Sequence, residues 1–107
     1  MKEFQAKITV NGVTYELPQV STAAYLEYLD VREPIAAKEM YTRSDFYAMA
    51  DSLCKLYGDK FTRADLLGEN GVAPGEVIVQ FSAVESVLMK QVNHSIEDLK
   101  KNFTNGA

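Results

Sequence analysis

The stretch "LYGDKFTRADLL", residues 56–67, contains the signals for the end of one helix and the start of the next. Gly58 favours the left-handed turn that stops a helix. Thr62 suits an N-cap, with an acidic residue at the capping-box position, where Glu or Gln is more usual. Phe61 before this cap and Leu66 after it have the spacing of a hydrophobic staple. We therefore predict a structural joint of fixed angle formed by Gly58, Phe61, Thr62 and Leu66.

The helix that ends at this joint is predicted from the spacing of its apolar residues. Ser44 suits its N-cap, and Asp45 suits the positive end of its dipole. Apolar residues then recur at intervals of four, three and four, which gives a helical apolar face. That face consists of Phe46, Ala50, Leu53 and Tyr57.

A shorter helix is predicted upstream. Either Ser21 or Thr22 can cap it. Pro34 closes this region because a proline disfavours helical geometry at the preceding residue, Glu33. The apolar side of this helix is predicted to be Tyr25, Leu26 and Leu29.

Residues 1–17 predict a β-hairpin. Apolar and polar residues alternate on both sides of Asn11-Gly12, a dipeptide that tolerates the positive φ values of a type I′ turn. A two-residue loop sets the register and places the apolar residues of both strands on one face. The predicted pairs are Val10 with Val13, Ile8 with Tyr15, and Ala6 with Leu17, and Phe4 continues the alternation.

The last helix is predicted to begin near Pro74, which suits a first helical turn. From Val77 onward its apolar residues repeat at intervals of three or four in one stripe that ends at Phe103. The part of this stripe that we expect to bind a partner or a second copy of the chain is Phe81, Val84, Leu88, Val92, Ile96 and Leu99.

Two forms of the last helix are compatible with this pattern. A continuous helix from Gly75 to Phe103 would be roughly 43 Å long and would extend beyond its own core. Alternatively, the sequence "SIED" could cap a separate short helix after a break near residues 93–95. Only the continuous form leaves the far end of the stripe free to associate.

Composition supports one domain over residues 1–107. The chain is 47% hydrophobic and 24% charged, enough for one sizeable core. We predict an α+β fold that is mainly α-helical, with an N-terminal hairpin and three to four helices, of which the last is long. The hairpin spans residues 1–17, a helical region spans 22–58, and the short and long C-terminal helices span 62–103.

Residue types for catalysis are scarce. The chain has one histidine, His94, and one cysteine, Cys54, and "GENGVAPG" does not match a phosphate-binding loop. We predict no catalytic, cofactor-binding or metal site, and no enzyme activity.

The net charge of -4 argues against nucleic-acid binding. Without a signal peptide or a membrane span, and with a single cysteine, a cytosolic protein is expected.

The order of elements resembles that of the tail assembly chaperones of long-tailed bacteriophages and prophages, especially those of Gram-positive hosts. The resemblance is carried by the hairpin sequence "ITVNGVTYELP", the helical middle, "LYGDKFTRADLLGENG" and the long terminal helix. Its most pointed local match is "YGDKFTRADL" at residues 57–66, where the family often has a glycine, a Phe-Thr pair and an acidic-leucine turn.

This resemblance implies a non-enzymatic protein of the host bacterial cytoplasm that is absent from the mature virion. Its implied partners are the tape measure protein, which it keeps soluble, and the tail tube protein, which it helps to recruit. We also expect a homo-oligomer, and we expect binding neither to nucleic acid nor to membranes.

The sequence leaves two other classes of function open. One is a small intracellular adaptor or regulator, either antitoxin-like or binding DNA through a helix-turn-helix made by residues 62–67 and the start of the last helix. Its recognition stretch, "PGEVIVQFSAVES", contains two Glu and no Lys or Arg, which is unfavourable for a DNA groove. The other is an enzyme subunit whose site a partner chain would complete.

Overall fold

The computed structural model describes residues 6–106, with side chains as far as Lys101. Its architecture is the predicted one, a mainly helical α+β fold with an N-terminal hairpin and a long last helix. Phe4 lies outside the described residues, and so does the side chain of Phe103. The elements are β1 (Lys7–Val10), β2 (Val13–Glu16), α1 (Thr22–Ile35), α2 (Arg43–Leu56), α3 (Arg63–Leu67) and α4 (Pro74–Gly106).

The hairpin has the predicted turn and register. Asn11 and Gly12 have φ values of 52° and 78°, as a type I′ turn requires. Ile8 pairs with Tyr15, and the Leu17 N–H donates to the Ala6 carbonyl at 2.8 Å. Both strands are antiparallel neighbours with no third strand among residues 6–106.

Val10 pairs with Val13 as predicted, but the shared apolar face is not covered at Val13, which is 50% exposed. On β1, Ile8 and Val10 are buried in the core. The turn between α2 and α3 contacts β2 at Tyr15, whose ring centroid lies 5.3 Å from that of Phe61. Val13 stands next to the turn and outside this contact.

Helix α1 is capped by Ser21, whose hydroxyl accepts from the Ala24 N–H at 3.2 Å. Its predicted apolar side is partly wrong, because Leu26 is 54% exposed while Tyr28 is only 1% exposed. Tyr28 donates to the Phe81 carbonyl at 3.2 Å, and its ring centroid lies 5.0 Å from that of Phe81. Packing against α4 therefore selects Tyr28 as the centre of the buried face.

The prediction that Pro34 disfavours a helix at Glu33 is also wrong, since α1 continues through both residues to Ile35. A proline in the last turn removes only one helical hydrogen bond. The Ala36 N–H still bonds the Arg32 carbonyl at 2.8 Å, and the Ile35 side chain is buried in the core. This burial favours continuing the helix.

Helix α2 begins two residues earlier than predicted, with Thr42 rather than Ser44 as its N-cap. The Thr42 hydroxyl accepts from the Asp45 N–H at 3.2 Å, and the Asp45 carboxylate accepts from the Thr42 N–H at 2.8 Å. This capping box satisfies two backbone donors at once, which a cap at Ser44 would not. Lys38 adds contacts of 2.8 and 2.9 Å to the same carboxylate.

The rest of α2 agrees with the prediction. Ala50, Leu53 and Tyr57 are buried, and Phe46 is half-buried beside Tyr41. Cys54 is buried as well, and the cost of desolvating the thiolate raises the pKa of this thiol to about 11. The thiol therefore stays protonated and unreactive near neutral pH.

The joint contains the expected caps. Gly58 has φ 80°, and the N–H groups of Gly58 and Asp59 donate to the carbonyls of Lys55 at 3.0 Å and Cys54 at 2.8 Å. These two bonds form a Schellman motif. Thr62 then caps α3 in a capping box with Asp65.

The joint is also in contact with the hairpin. Phe61 and Leu66 are both buried. The Phe61 ring centroid lies 5.6 Å from that of Tyr57 on α2, besides its contact with Tyr15 on β2. The Asn11 side chain in the hairpin turn donates to Asp65 at 3.2 Å.

Helix α4 is continuous from Pro74 to Gly106, so the proposed break near residues 93–95 is wrong. Continuing the helix keeps backbone bonds that a cap at this position would interrupt. At 1.5 Å per residue the helix is roughly 48 Å long. The whole described chain measures 56 × 31 × 21 Å, so α4 is longer than the fold is wide.

One hydrophobic core joins the hairpin and all four helices. Two buried tyrosines in it differ in how their hydroxyls are satisfied. The Tyr28 hydroxyl has the Phe81 carbonyl as its acceptor, whereas the Tyr57 hydroxyl is buried with no hydrogen-bond partner in the described part of the chain. Burial raises the pKa of Tyr57 to about 12, so its hydroxyl stays neutral.

This difference predicts opposite effects of one substitution. Tyr57→Phe removes an unsatisfied buried hydroxyl and should raise the free energy of unfolding by about 1 kcal/mol. Tyr28→Phe removes a hydrogen bond and should lower it by about 1 kcal/mol. Urea denaturation measures both, and the reverse order of stabilities would contradict the assignment.

The contacts of Asp45 predict acid sensitivity. The hydrogen bond from Lys38, with those from Thr42, lowers the pKa of Asp45 below its ordinary value of 3.8. The carboxylate therefore stabilises the fold at pH values above this ordinary value, and its contribution is lost as pH falls through the folded-state pKa. Wild-type should be more stable than Asp45→Asn at neutral pH, with a gap that closes in acid. Denaturant titrations at several pH values test this, and a constant gap would refute it.

Candidate protein-interaction site

The apolar stripe of α4 is divided by the edge of the core. Its first part is buried, with Leu88 1% exposed, whereas Ile96 and Leu99 are 44% and 58% exposed. Val92, between the two parts, is half-buried. Of the residues predicted to bind a partner, Phe81, Val84 and Leu88 are therefore core residues, and Val92, Ile96 and Leu99 remain available.

Beyond Gln91 the helix extends past the core, as predicted for the continuous form. Residues 92–106 of α4, which we call the overhang, are roughly 22 Å long at 1.5 Å per residue. All described side chains from Asn93 to Lys101 are exposed. The overhang therefore presents apolar side chains that the rest of the described chain does not cover.

A groove of about 220 Å³ runs beside this part of α4. One wall is helical and the other is the segment that joins the hairpin to α1, with the first turn of α1. None of the described residues that line the groove is charged. The apolar and aromatic lining residues are Val20 and Tyr25 on one wall, and Leu88, Val92, Ile96 and Leu99 on the other.

Gln91 joins the two walls of the groove. Its side-chain carbonyl accepts from the Val20 N–H at 3.1 Å, and its amide NH₂ donates to the Pro18 carbonyl at 3.3 Å. Gln91 is 9% exposed, so both bonds are shielded from water. Nearby, the Tyr25 hydroxyl lies 3.5 Å from the Met89 sulfur. These contacts form the groove without a partner present.

Sequence reasoning did not identify Gln91 as part of the site. It follows Leu88 by three residues and so lies beside the apolar stripe, where a polar residue is unexpected. A polar residue at that position is the local sign in the sequence that Gln91 makes a specific contact. Its partners are 71 and 73 residues away in the chain, which no local pattern could indicate.

A second cavity, of about 170 Å³, lies between α1 and α4. Its charged groups already form an ion pair, with Arg32 2.8 Å from Glu85.

Elsewhere His94 is exposed and lies 3.5 Å from Asp98 on the same helix. No group of three or more His, Cys, Asp or Glu side chains in residues 6–101 is arranged to hold a metal ion. None of the described helices is long and apolar enough to cross a membrane.

The joint residues Gly58, Phe61, Thr62 and Leu66 have structural positions, in a helix stop, the core and a helix cap. Their contacts connect α2, α3 and the hairpin. Comparison with protein-family models, curated proteins and solved structures gave no match to this chain.

The division of the stripe predicts that two leucines on one helix respond differently to the same change. Leu88→Asp places an unpaired charge in the core and should lower the free energy of unfolding by about 3 kcal/mol or more. Leu99→Asp should stay within about 0.5 kcal/mol of wild-type because its side chain is exposed.

Self-association should show the complementary pattern. We expect wild-type to form oligomers whose mass in light scattering rises with concentration, because contact between overhangs removes apolar surface from water. Leu99→Asp should reduce this association while retaining the fold. A wild-type chain that stays monomeric at every concentration would contradict the expectation.

Proposed function

We propose that this protein is a non-enzymatic tail assembly chaperone of a long-tailed bacteriophage or prophage. It binds the tape measure protein, keeps it soluble and helps to recruit tail tube subunits. In this proposal the protein acts as a homo-oligomer in the host bacterial cytoplasm and is absent from the mature virion. The observation that supports it most is the overhang, whose Ile96 and Leu99 side chains are exposed on a helix anchored in a core.

The physical requirements of such a chaperone agree with this surface. A long helical client aggregates through its apolar faces, and a chaperone must cover those faces reversibly. Repeated weak apolar contacts from many subunits give avidity without a single tight site. The net charge of -4 keeps the free protein soluble at high local concentration.

The alternative is a small intracellular adaptor or regulator that uses the same overhang for a different partner. The DNA-binding form of this alternative has little support from the fold. Helix α3 has only 5 residues, and at the start of α4 the side chains of Val77 and Phe81 are buried in the core. The exposed residues there include Glu76 and Val79, which offer no positive charge to phosphates.

Co-expression tests the proposed function directly. The tape measure protein encoded in the same genome should be recovered in the soluble fraction at higher yield when this chain is co-expressed, because its apolar helices are covered. The effect should persist at moderate salt, since apolar contacts are not screened.

Leu99→Asp should reduce the yield of soluble tape measure protein, and the exposed Val79→Asp, on a different face of α4, serves as its control. If co-expression of the folded wild-type chain does not raise the yield of soluble tape measure protein, the proposed function is ruled out. DNA binding that weakens steeply with salt would favour the regulatory alternative.

A further inference from the structure

We propose that Asn11, in the hairpin turn, is a site of spontaneous deamidation, and that its conversion to aspartate or isoaspartate breaks the contact between the hairpin and α3. The chain contains Asn-Gly dipeptides at residues 11–12, 70–71 and 105–106. The side chain of Asn105 lies outside the described part of the chain, so the comparison is between the first two. The reaction needs only the chain and water and does not depend on the proposed function.

The reaction is an attack by the backbone on the neighbouring side chain. The Gly12 nitrogen loses its proton to a base in the solvent and forms a bond to the side-chain carbonyl carbon of Asn11. The bond from that carbon to Nδ2 breaks, and the nitrogen takes up a proton and leaves as ammonia. Water then opens the five-membered imide at either carbonyl, which gives aspartate or isoaspartate. Glycine favours the attack because it has no Cβ to obstruct the ring.

The attacking nitrogen is accessible in the hairpin turn. Asn11 and Gly12 are both exposed, and a Cβ built on Gly12 would have no atom of another residue within 4 Å beyond its chain neighbours. In a type I′ turn the bond across the turn is donated by the residue after the glycine, here Val13. Within residues 6–106, the Gly12 N–H donates no hydrogen bond to the backbone. Its proton is therefore open to a base in the solvent.

The second dipeptide is held by the end of α3, although Asn70 is also exposed. The Gly71 N–H donates to the Gly68 carbonyl at 2.9 Å, and the Val72 N–H donates to the Leu66 carbonyl at 2.9 Å. A Cβ on Gly71 would collide with the Leu66 carbonyl, so the backbone here is closely packed. Attack by the Gly71 nitrogen must first break its hydrogen bond and move this loop. The fold therefore protects Asn70.

The side chain of Asn11 connects the hairpin turn to α3. Its NH₂ group donates to the Asp65 carboxylate at 3.2 Å. Hydrogen bonds from Thr62, and then the one from Asn11, lower the pKa of Asp65, so this group is ionised at neutral pH. Deamidation replaces the donor with a second carboxylate, which repels the first. Aspartate tolerates the positive φ of the turn, so the turn remains while its contact with α3 is lost.

Peptide mapping by mass spectrometry tests the choice of site. The full chain is incubated at mildly alkaline pH, and the deamidated fraction is followed at Asn11 and Asn70. In the folded chain Asn11 should react about fivefold faster or more, because attack at Asn70 requires a hydrogen bond to be broken. In concentrated urea this protection is lost, and the two rates should converge.

Two outcomes would overturn the choice of site. One is an equal or faster reaction at Asn70 in the folded chain. The other is a preference for Asn11 that is unchanged in urea, because the flanking sequence rather than the turn would then select the site.

Asn11→Asp, which is the aspartate product of the reaction, tests the loss of contact. It should raise the equilibrium constant of unfolding about threefold in the wild-type background, because two carboxylates then face each other near the surface. In the Asp65→Asn background the facing carboxylate is absent, so the same change should have little cost. Urea denaturation of the four chains at low salt measures this coupling. An equal cost in both backgrounds would overturn the proposed break between the hairpin and α3.

Discussion

The length of α4 relative to its core is the constraint on which the rest of the structure depends. The helix has 33 residues, and the narrower dimensions of the described chain are 31 and 21 Å. A helix roughly 48 Å long is longer than these dimensions, so the core cannot cover it along both halves. The fold covers the first half with α1, α2 and the segment before α1, and the second half leaves Ile96 and Leu99 exposed to water. The candidate site is therefore the part of the α4 apolar stripe that the core does not cover.

The joint between α2 and α3 makes this arrangement possible. The Schellman motif at Gly58 stops α2, and the capping box at Thr62 starts α3 after a turn of few residues. Phe61 lies between Tyr15 and Tyr57, so the turn packs against the hairpin. The turn is thus fixed against the hairpin, and the chain continues through α3 into α4. The signals at this joint are local, but their effect is to orient elements that are distant in sequence.

The sequence predicts best where local chemistry dominates. The Asn11-Gly12 turn, the helix stop at Gly58 and the cap at Thr62 each depend on a few neighbouring residues, and all three are present in the structure. The predictions fail where tertiary contacts decide. Tyr28 is buried because Phe81 lies opposite, and Gln91 bonds to a segment more than 70 residues away. The exposed end of the stripe was predicted from length, but the groove beside it was not, because its second wall comes from another part of the chain.

The position of Gln91 has a consequence for the helix–coil equilibrium of α4. The buried half supplies a nucleus, so helix beyond Gln91 can grow without the usual cost of nucleation. Without tertiary contacts, however, each added turn has only the small free energy of helix propagation, and fraying that starts at the far end can proceed until it meets the core. Gln91 marks the boundary at which such unwinding stops. Local unwinding of α4 is thus confined to the overhang, and the half of the helix in the core unwinds only when the whole domain unfolds.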